Sequence, residues 1–239
     1  MYDLQILLPV HNEAESIADT IREIYAEISP RVAMQFIICE DGSRDNTQDV
    51  LKRLSREIPM KLILSRERKG YSRAVTDGMR AMDARYLLCL DSDGQCDPKD
   101  FWKFWAARDE ASIVLGWRVD RADTLLRRLM SRTFYFVYQA LYRTPVHDPS
   151  CPFMLARRDV IESLVNQLGA MQQGFWWEFV ARSHRLGLKI LEKPVHHRLR
   201  VAGTTQVYHL RKLPGIGYHH FLALFRIWDE TRPHRRETV

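Results

Sequence analysis

The chain has 239 residues, 46% of them hydrophobic and 10% aromatic, which is enough to bury the core of one large domain or two small ones. This length and composition exclude an intrinsically disordered chain and a short disulfide-stapled scaffold. Four cysteines without C-x-x-C spacing indicate a reducing, cytoplasmic compartment. The net charge of +6 is uneven, because residues 1–117 carry 16 basic and 20 acidic side chains while residues 118–239 carry 20 and 10. A second half with this basic excess indicates an anionic partner: nucleic acid, anionic lipid or a phosphorylated substrate.

Short apolar runs alternate with amphipathic stretches through the first half. The run at 4–10 predicts a buried strand, and isoleucines at 17, 21, 24 and 28 then mark one face of a helix. The same pattern of a predicted strand followed by a predicted helix occurs three more times, and a fifth strand follows. The further strands are at 35–40, 61–65, 85–91 and 112–116, and the helices between them are at 45–57, 70–82 and 98–107. Strands joined by helical crossovers predict an α/β fold with a mostly parallel central sheet flanked by helices.

Beyond residue 117 the pattern becomes basic and aromatic. It predicts a helix over 125–142, a proline-containing loop over 144–152, a helix near 175–187, a strand over 188–195 and a last helix over 216–229. With no repeat and no clear linker, we expect a single domain over residues 1–239. The N-terminus lacks the features of a signal peptide, and no run approaches the roughly 18 apolar residues of a membrane span. We therefore expect a cytoplasmic chain that meets a membrane only at its surface.

Acidic side chains follow the predicted strands at their carboxyl ends, where open α/β sheets bind ligands. Asp91 and Asp93 follow the fourth strand, and two carboxylates at this spacing can hold Mg²⁺ or Mn²⁺, which would in turn bind a diphosphate. Asp41 follows the second strand and could accept a hydrogen bond from a nucleobase, while Asp45 would cap the next helix. An ordinary solvated turn is the alternative for each motif alone. Their convergence at one edge of a sheet favours a binding site.

Five motifs in this order resemble glycosyltransferase family 2, the nucleotide-sugar enzymes with a GT-A type fold. They are PVHNEAE at 9–15, EDGSRDNT at 40–47, RKGYSRAVTDGM at 68–79, LDSDGQCDP at 90–98 and GWR at 116–118. Two looser motifs, DPSCPFMLARRDV at 148–160 and RLRVAGTTQ at 198–206, are similar to the branch of dolichol-phosphate mannosyltransferase and related polyprenyl-phosphate glycosyltransferases. The resemblance implies a single Rossmann-like GT-A domain, in which residues 1–117 bind the nucleotide sugar and residues 118–239 bind the acceptor.

The resemblance also implies roles for individual residues. Around the nucleotide sugar it places Pro9, His11, Glu13, Asp41, Lys69, Asp91 and Asp93. Near an Mg²⁺ or Mn²⁺ ion it places Asp91, Asp93 and Gln95, and the implied catalytic group is Asp93, Arg118 and Arg200, with both arginines on phosphates. Three departures from the family pattern stand out. His11 replaces the usual Tyr, and Cys151-Pro152 replaces the Ser-Gly that is frequent in the branch. Residues 203–206 are Gly-Thr-Thr-Gln where the branch often has Gly-Glu-Ser-Lys, which removes one cation expected near the acceptor phosphate.

We therefore predict an inverting glycosyltransferase that moves a sugar from GDP-mannose or a UDP-hexose to a polyprenyl or dolichyl phosphate. The oxygen of such an acceptor is already ionised near neutral pH. A hydroxyl on a soluble or polysaccharide acceptor, the first alternative, would need a base, for which Asp148 and Glu178 are the candidates. The alternative of another class is a non-catalytic module that binds a nucleotide sugar or nucleic acid. Acidic side chains at three strand ends argue against nucleic acid, because they would repel its phosphates.

Two amphipathic segments of the second half could lie on an anionic bilayer. Residues 121–143 carry an apolar stripe flanked by arginines at 127, 128, 132 and 143; the stripe is Met130, Phe134, Val137, Tyr138 and Leu141. Residues 218–228 carry a second group of apolar side chains. Packing against the protein core is an equal alternative for both segments.

Overall fold

The computed structural model describes residues 2–119, 125–172, 174–198 and 213–232, with the backbone alone for 125–131 and 213–218. Within these residues, seven strands form one sheet. They are β1 (Leu4–Val10), β2 (Met34–Glu40), β3 (Met60–Leu64), β4 (Tyr86–Cys89), β5 (Ile113–Arg118), β6 (Met154–Arg157) and β7 (Ile190–Val195). Their order across the sheet is β3-β2-β1-β4-β6-β5-β7. Only β6 is antiparallel to its neighbours β4 and β5, so the predicted mostly parallel sheet is confirmed.

Eight α-helices flank this sheet in the described part of the chain. They are α1 (Ile17–Ile28), α2 (Thr47–Leu54), α3 (Tyr71–Arg80), α4 (Phe101–Ala106), α5 (Leu125–Tyr142), α6 (Arg158–Leu164), α7 (Phe175–Arg185) and α8 (Leu213–Glu230). Short 3-10 turns precede α4 and follow α6. None of the described helices combines the length and the apolar character needed to cross a bilayer.

The central strands are apolar along their whole length because helices cover both faces of the sheet. All seven residues of β1 are buried, as expected for a parallel strand in the middle of such a sheet. One face packs against α1 and α4, where Ile17, Ile21 and Ile28 are fully buried and confirm the predicted helix face. The other face packs against α3, α6 and α7. Helix α3 lies so close to the sheet that a Cβ atom at Gly78 would stand 2.1 Å from Cδ1 of Leu7.

The sequence pattern does not predict β6 or α6. Strand β6 has four residues, of which Met154, Leu155 and Ala156 are buried, and it lies between β4 and β5. A run this short carries too little periodicity to predict a strand, and nothing local indicates that it runs antiparallel to its neighbours.

A third apolar cluster joins α5, α7 and α8 outside the sheet. Tyr138 of α5 is fully buried against Trp177 of α7, and Phe134 packs edge-on against the same indole. The predicted bilayer stripe of α5 is therefore core packing at Phe134, Tyr138 and Leu141. Phe136 of α5, by contrast, is a large apolar side chain that is 80% exposed.

Candidate active site

A cavity of about 790 Å³ opens at the carboxyl ends of β1, β2 and β4. The structure brings six of the predicted nucleotide-sugar residues to its wall: Pro9, His11, Glu13, Asp41, Asp91 and Asp93. Parallel strands present their carboxyl ends at one edge, so three motifs that lie far apart in the sequence meet there. Lys69 and Gln95 do not line the cavity.

The loops after β1 and β2 are tied together by hydrogen bonds from both sides. The amide of Asn12 donates to Oγ of Ser43 (2.8 Å), and the amide of Arg44 donates to Oδ1 of Asn12 (2.8 Å). Asn12 has a φ of 55°, in the left-handed region that asparagine tolerates better than most residues. Nδ1 of His11 lies 2.8 Å from the carbonyl oxygen of Asp41. This wall is thus held in place before any ligand arrives.

Asp41 is buried and holds the loop between β3 and α3. Its Oδ1 accepts from the amide of Lys69 (2.6 Å) and its Oδ2 accepts from the amide of Gly70 (2.9 Å). The side chain of Lys69 turns away and pairs with Asp77. Gly42, with a φ of 63°, lets the backbone after Asp41 pass this loop, because a Cβ atom there would stand 2.4 Å from the carbonyl carbon of Glu67.

Asp91 and Asp93 lie just beyond β4 and are each oriented by a neighbour. Oδ1 of Asp91 accepts from the Tyr71 hydroxyl (2.9 Å), and Oδ1 of Asp93 accepts from the amide of Gln95 (3.1 Å). The described residues contain no group of three His, Cys, Asp or Glu side chains that could hold a metal by themselves. Two carboxylates at a ligand cavity nevertheless fit Mg²⁺ or Mn²⁺, because a hard cation of this kind often takes one or two carboxylates and completes its shell with substrate phosphates and water.

Gln95 faces elsewhere. Its side-chain nitrogen donates to the carbonyl oxygen of Arg198 (3.1 Å), and the amide of Arg198 donates to the carbonyl oxygen of Gln95 (2.8 Å). Arg198 also pairs with Asp97 (2.9 Å) and Glu23 (2.6 Å). The side chain predicted to approach the cation therefore joins the loop after β4 to the segment after β7.

Arg118 and Asp148 form a buried ion pair beside the end of β5. Nε and one terminal nitrogen of Arg118 donate to the two carboxylate oxygens of Asp148 (2.7 and 2.9 Å), and the same terminal nitrogen donates to Oγ of Ser150 (2.6 Å). Burial alone would lower the pKa of Arg118, but the hydrogen bonds and the charge of Asp148 outweigh it and raise that pKa. Arg118, which the resemblance places on a phosphate, and Asp148, a candidate base for a hydroxyl acceptor, are thus each other's partners. Arg200 lies outside the described residues.

Glu178, the other candidate base for a hydroxyl acceptor, is held by groups of the protein. The side chain is fully buried in α7. Its Oε2 accepts from the amides of Gly169 (3.1 Å) and Met171 (2.8 Å), and its Oε1 accepts from Nε of Arg182 (2.9 Å). It therefore holds the loop before α7 and does not line the cavity at the strand ends.

Sequence reasoning also missed Tyr71 as a site residue. It lies in the motif at 68–79, but no local signal distinguishes it from other residues at a helix start. The structure places it on the cavity wall, and its hydroxyl meets both Asp91 and Nε1 of Trp176 (2.8 Å). Burial of this hydroxyl, and then the charge of Asp91, raise the pKa of Tyr71 well above its usual range. Tyr71 therefore stays a protonated donor at neutral pH.

The four cysteines are free thiols and take no part in this site as nucleophiles. Burial raises the pKa of Cys39 and of Cys151 to about 12, and it also raises the pKa of Cys89 and Cys96. A thiol with so high a pKa carries almost no thiolate at neutral pH.

These features define the class of protein: an α/β fold that takes a ligand at the carboxyl ends of its strands, beside two carboxylates suited to a divalent cation. The chain belongs to glycosyl transferase family 2, whose sequence model matches residues 5–165.

Two curated relatives are each 26% identical to the chain over 212 residues. One is the dodecaprenyl-phosphate galacturonate synthase of Rhizobium johnstonii, where the match covers 85% of this chain and 61% of the relative. The other is the undecaprenyl-phosphate 4-deoxy-4-formamido-L-arabinose transferase of Salmonella paratyphi A, with 87% and 63% covered. The chain thus spans about three fifths of the length of these relatives.

Two solved structures share the fold. Glucosyl-3-phosphoglycerate synthase from Mycobacterium tuberculosis, in complex with Mn²⁺ and UDP-glucose, has a TM-score of 0.70 at 18% identity and covers 95% of this chain and 79% of its own. The mannosyltransferase PcManGT from Pyrobaculum calidifontis, in complex with GDP-Man and Mn²⁺, has a TM-score of 0.67 at 19% identity and covers 94% and 64%. The predicted GT-A type fold is confirmed.

Proposed function

We propose that the chain is a metal-dependent inverting glycosyltransferase that moves a sugar from a nucleoside diphosphate sugar to a polyprenyl or dolichyl phosphate. The observation that carries the proposal is the position of Asp91 and Asp93 on the wall of the cavity that Asp41 also lines. A site for the cation and the diphosphate and a site for the nucleobase would then lie in the same cavity. The names of the two curated relatives support a polyprenyl phosphate as acceptor. The ligands of the two solved structures support a GDP- or UDP-sugar donor with Mn²⁺ or Mg²⁺.

Different residues of the cavity would bind different parts of the donor in this proposal. Pro9, His11, Glu13 and Asp41 would bind the nucleotide, and Asp91 and Asp93 would hold Mg²⁺ or Mn²⁺. When bound, that ion neutralises the negative charge that develops on the departing diphosphate. The acceptor oxygen then displaces the diphosphate at the anomeric carbon in one step, which inverts the configuration there. Arg118 and Arg200 would bind phosphate on the acceptor side.

The two candidate bases favour a phosphate acceptor over a hydroxyl. A hydroxyl must lose its proton as it attacks, so a carboxylate would have to reach it. Glu178 is fully buried, and Asp148 forms a bidentate ion pair with Arg118 that taking up a proton would break. A phosphate monoester is ionised near neutral pH and needs neither.

The proposal includes peripheral contact with the cytoplasmic face of an anionic membrane, where a polyprenyl phosphate resides. Among the side chains that the structure describes on α5 and α8, three large apolar ones are exposed: Phe136 of α5 and Leu222 and Phe225 of α8. Residues 118–239 carry ten more basic than acidic side chains, which would attract anionic lipid. Residues 1–117 would serve the donor and residues 118–239 the acceptor within one domain.

The test is donor hydrolysis and sugar transfer with GDP-mannose and with several UDP-hexoses, each with and without Mn²⁺ and a short polyprenyl phosphate. We expect transfer with one donor that requires both additions. Asp93→Ala should lower Mn²⁺-dependent turnover by about 10- to 100-fold or more, because it removes a ligand of the cation. The matched control is Asp159→Ala, which removes a surface carboxylate paired with Arg157 away from the cavity.

Near-parental turnover of Asp93→Ala at ordinary Mg²⁺ would overturn the cation assignment. Nucleotide binding without turnover of any donor and acceptor pair would identify a binding module instead of an enzyme. Transfer to a hydroxyl but not to the lipid phosphate would leave the donor side in place and overturn the acceptor.

A further inference from the structure

A chain of two hydrogen bonds leads from α7 to the first carboxylate after β4. Nε1 of Trp176 donates to the Tyr71 hydroxyl (2.8 Å), and that hydroxyl donates to Oδ1 of Asp91 (2.9 Å). Trp176 and Tyr71 lie 105 positions apart, in the acceptor half and the donor half respectively. A tyrosine hydroxyl has one proton, so accepting from the indole leaves that proton for Asp91.

The helix starts that carry Tyr71 and Trp176 are held together by independent contacts. Oγ of Ser72, the next residue in α3, lies within hydrogen-bond distance of the carbonyl oxygens of Met171 (3.0 Å) and Gln172 (2.7 Å). The buried carboxylate of Glu178 accepts from the amide of Met171. The ring of Phe175 packs edge-on against Tyr71 (6.5 Å between centroids). The start of α7 is therefore locked onto the start of α3, and Trp176 has a defined position from which to donate.

We infer that Tyr71 and Trp176 are positioning residues that hold the Asp91 carboxylate in one orientation for the cation, an inference that rests on the proposed function. The tyrosine occupies one carboxylate oxygen and so orients the other. Trp176 acts only through Tyr71, since its indole fixes the direction in which the hydroxyl proton points. Hydrogen bonds of this kind orient metal-binding carboxylates in proteins, and their loss typically weakens metal affinity 10- to 100-fold.

This arrangement gives the acceptor half a physical connection to the cation site. Trp176 is buried in α7, whereas Asp91 follows β4 in the donor half. A shift at the start of α7 would break the bond to Tyr71 and release Asp91. The affinity for the cation therefore depends on a residue that never meets it.

The experiment measures Mn²⁺ affinity directly, by electron paramagnetic resonance of free Mn²⁺, in one series with saturating UDP and in another with saturating GDP. Tyr71→Phe should weaken Mn²⁺ binding about 10- to 100-fold while the melting temperature stays close to that of the parent. Trp176→Phe should weaken it less, because the hydroxyl keeps its proton but loses its fixed direction. Combined, the two changes should weaken binding no more than Tyr71→Phe alone, since Trp176 acts through the missing hydroxyl.

Two matched controls remove the same chemical groups elsewhere. Tyr86→Phe removes a tyrosine hydroxyl that donates to Asp109 (2.6 Å), and Trp102→Phe removes an indole N–H that donates to Glu27 (2.6 Å). Neither residue lines the cavity, so both variants should bind Mn²⁺ like the parent.

The two ways of failing are distinct. Asp91→Asn and Asp93→Ala serve as benchmarks, and unchanged Mn²⁺ binding in both would overturn the cation site and the inference with it. Weakened binding in the benchmarks with parental binding in Tyr71→Phe would overturn the inference alone. Effects of Tyr71→Phe and Trp176→Phe that add in the double variant, with a matching loss of melting temperature, would show that Trp176 only supports the fold.

Discussion

The carboxylate of Asp41 illustrates how a single residue can serve a ligand and the fold at once. Each of its oxygens accepts one backbone amide, from Lys69 and Gly70, yet the side chain still lines the cavity. A carboxylate has room for about four hydrogen bonds, so a nucleobase could still bind there. Any substitution at Asp41 therefore affects both the binding of the nucleobase and the position of the loop between β3 and α3.

Asp41→Asn should raise the KM for the donor about tenfold or more and leave kcat largely intact. The amide keeps one acceptor oxygen where the carboxylate had two, and a hydrogen bond to a charged group contributes about 1.5–3 kcal/mol. The nucleobase lies far from the anomeric carbon, so its contacts stabilise the bound substrate and the transition state about equally. Loss of such a contact raises KM and leaves kcat largely unchanged. Steady-state kinetics with the active donor measures both, and Asp49→Asn on the surface of α2 is the control. A collapse of kcat at unchanged KM would move Asp41 into the catalytic group.

The same residues show what a sequence does and does not reveal about a site. Asp41, Asp91 and Asp93 were predictable because each follows an apolar strand, and strand ends of a parallel sheet converge. Tyr71 and Trp176 were not, because their contact joins residues 105 positions apart and depends on how α7 docks on α3. The pairing of Arg118 with Asp148 was hidden for the same reason, although both residues had been singled out.

The sequence predicts helix α7 correctly. It does not predict that Glu178 is buried there and is hydrogen-bonded within the protein. Glu178, Arg182 and Glu230 form a chain of ion pairs that joins α7 to α8, with Arg182 bonded to both carboxylates (2.9 and 2.7 Å). The periodicity of a helix indicates a buried face and cannot tell that a glutamate on it is satisfied by amides and a guanidinium. Its hydrogen bonds make Glu178 a support of the fold.

Glu178→Gln should lower the free energy of unfolding by about 3 kcal/mol, because it removes the charge of a fully buried carboxylate that pairs with Arg182, and that arginine then keeps only the more exposed Glu230 as its ion-pair partner. Urea denaturation measures this loss. Glu162→Gln is the control, since it breaks an exposed pair with Arg158 and such pairs contribute only about 0–1 kcal/mol. Well below its unfolding midpoint, Glu178→Gln should keep the KM and kcat of the parent. A specific loss of kcat at parental stability would restore Glu178 as the base.

At the scale of the whole molecule, charge divides unevenly between the two halves of the chain. The first half is net acidic and presents the carboxylates of the cavity, while the second half is basic. The apolar stripe predicted for the bilayer packs against α7 and α8 at Phe134, Tyr138 and Leu141, so it is not the membrane contact. Among the described side chains of α5 and α8, the large apolar ones that stay exposed are Phe136, Leu222 and Phe225. The pattern of a helix face predicts that one side is apolar and leaves open which neighbour covers it.

If the basic half lies on an anionic membrane, removing its charge should release the protein. Arg132 is exposed on α5, and Arg127 and Arg128 belong to the part of that helix described by its backbone alone. Changing all three to Gln should lower partitioning onto phosphatidylserine vesicles about a hundredfold, since each basic residue near such a surface contributes about 1 kcal/mol.

Liposome flotation measures the bound fraction, and a triple change of Lys52, Arg53 and Arg56 to Gln in the donor half is the control. Flotation that is absent in the parent, or equal in the parent and the α5 variant, would remove the membrane contact at α5. A water-soluble acceptor would then be the better candidate, because a polyprenyl phosphate can be reached only at the bilayer surface.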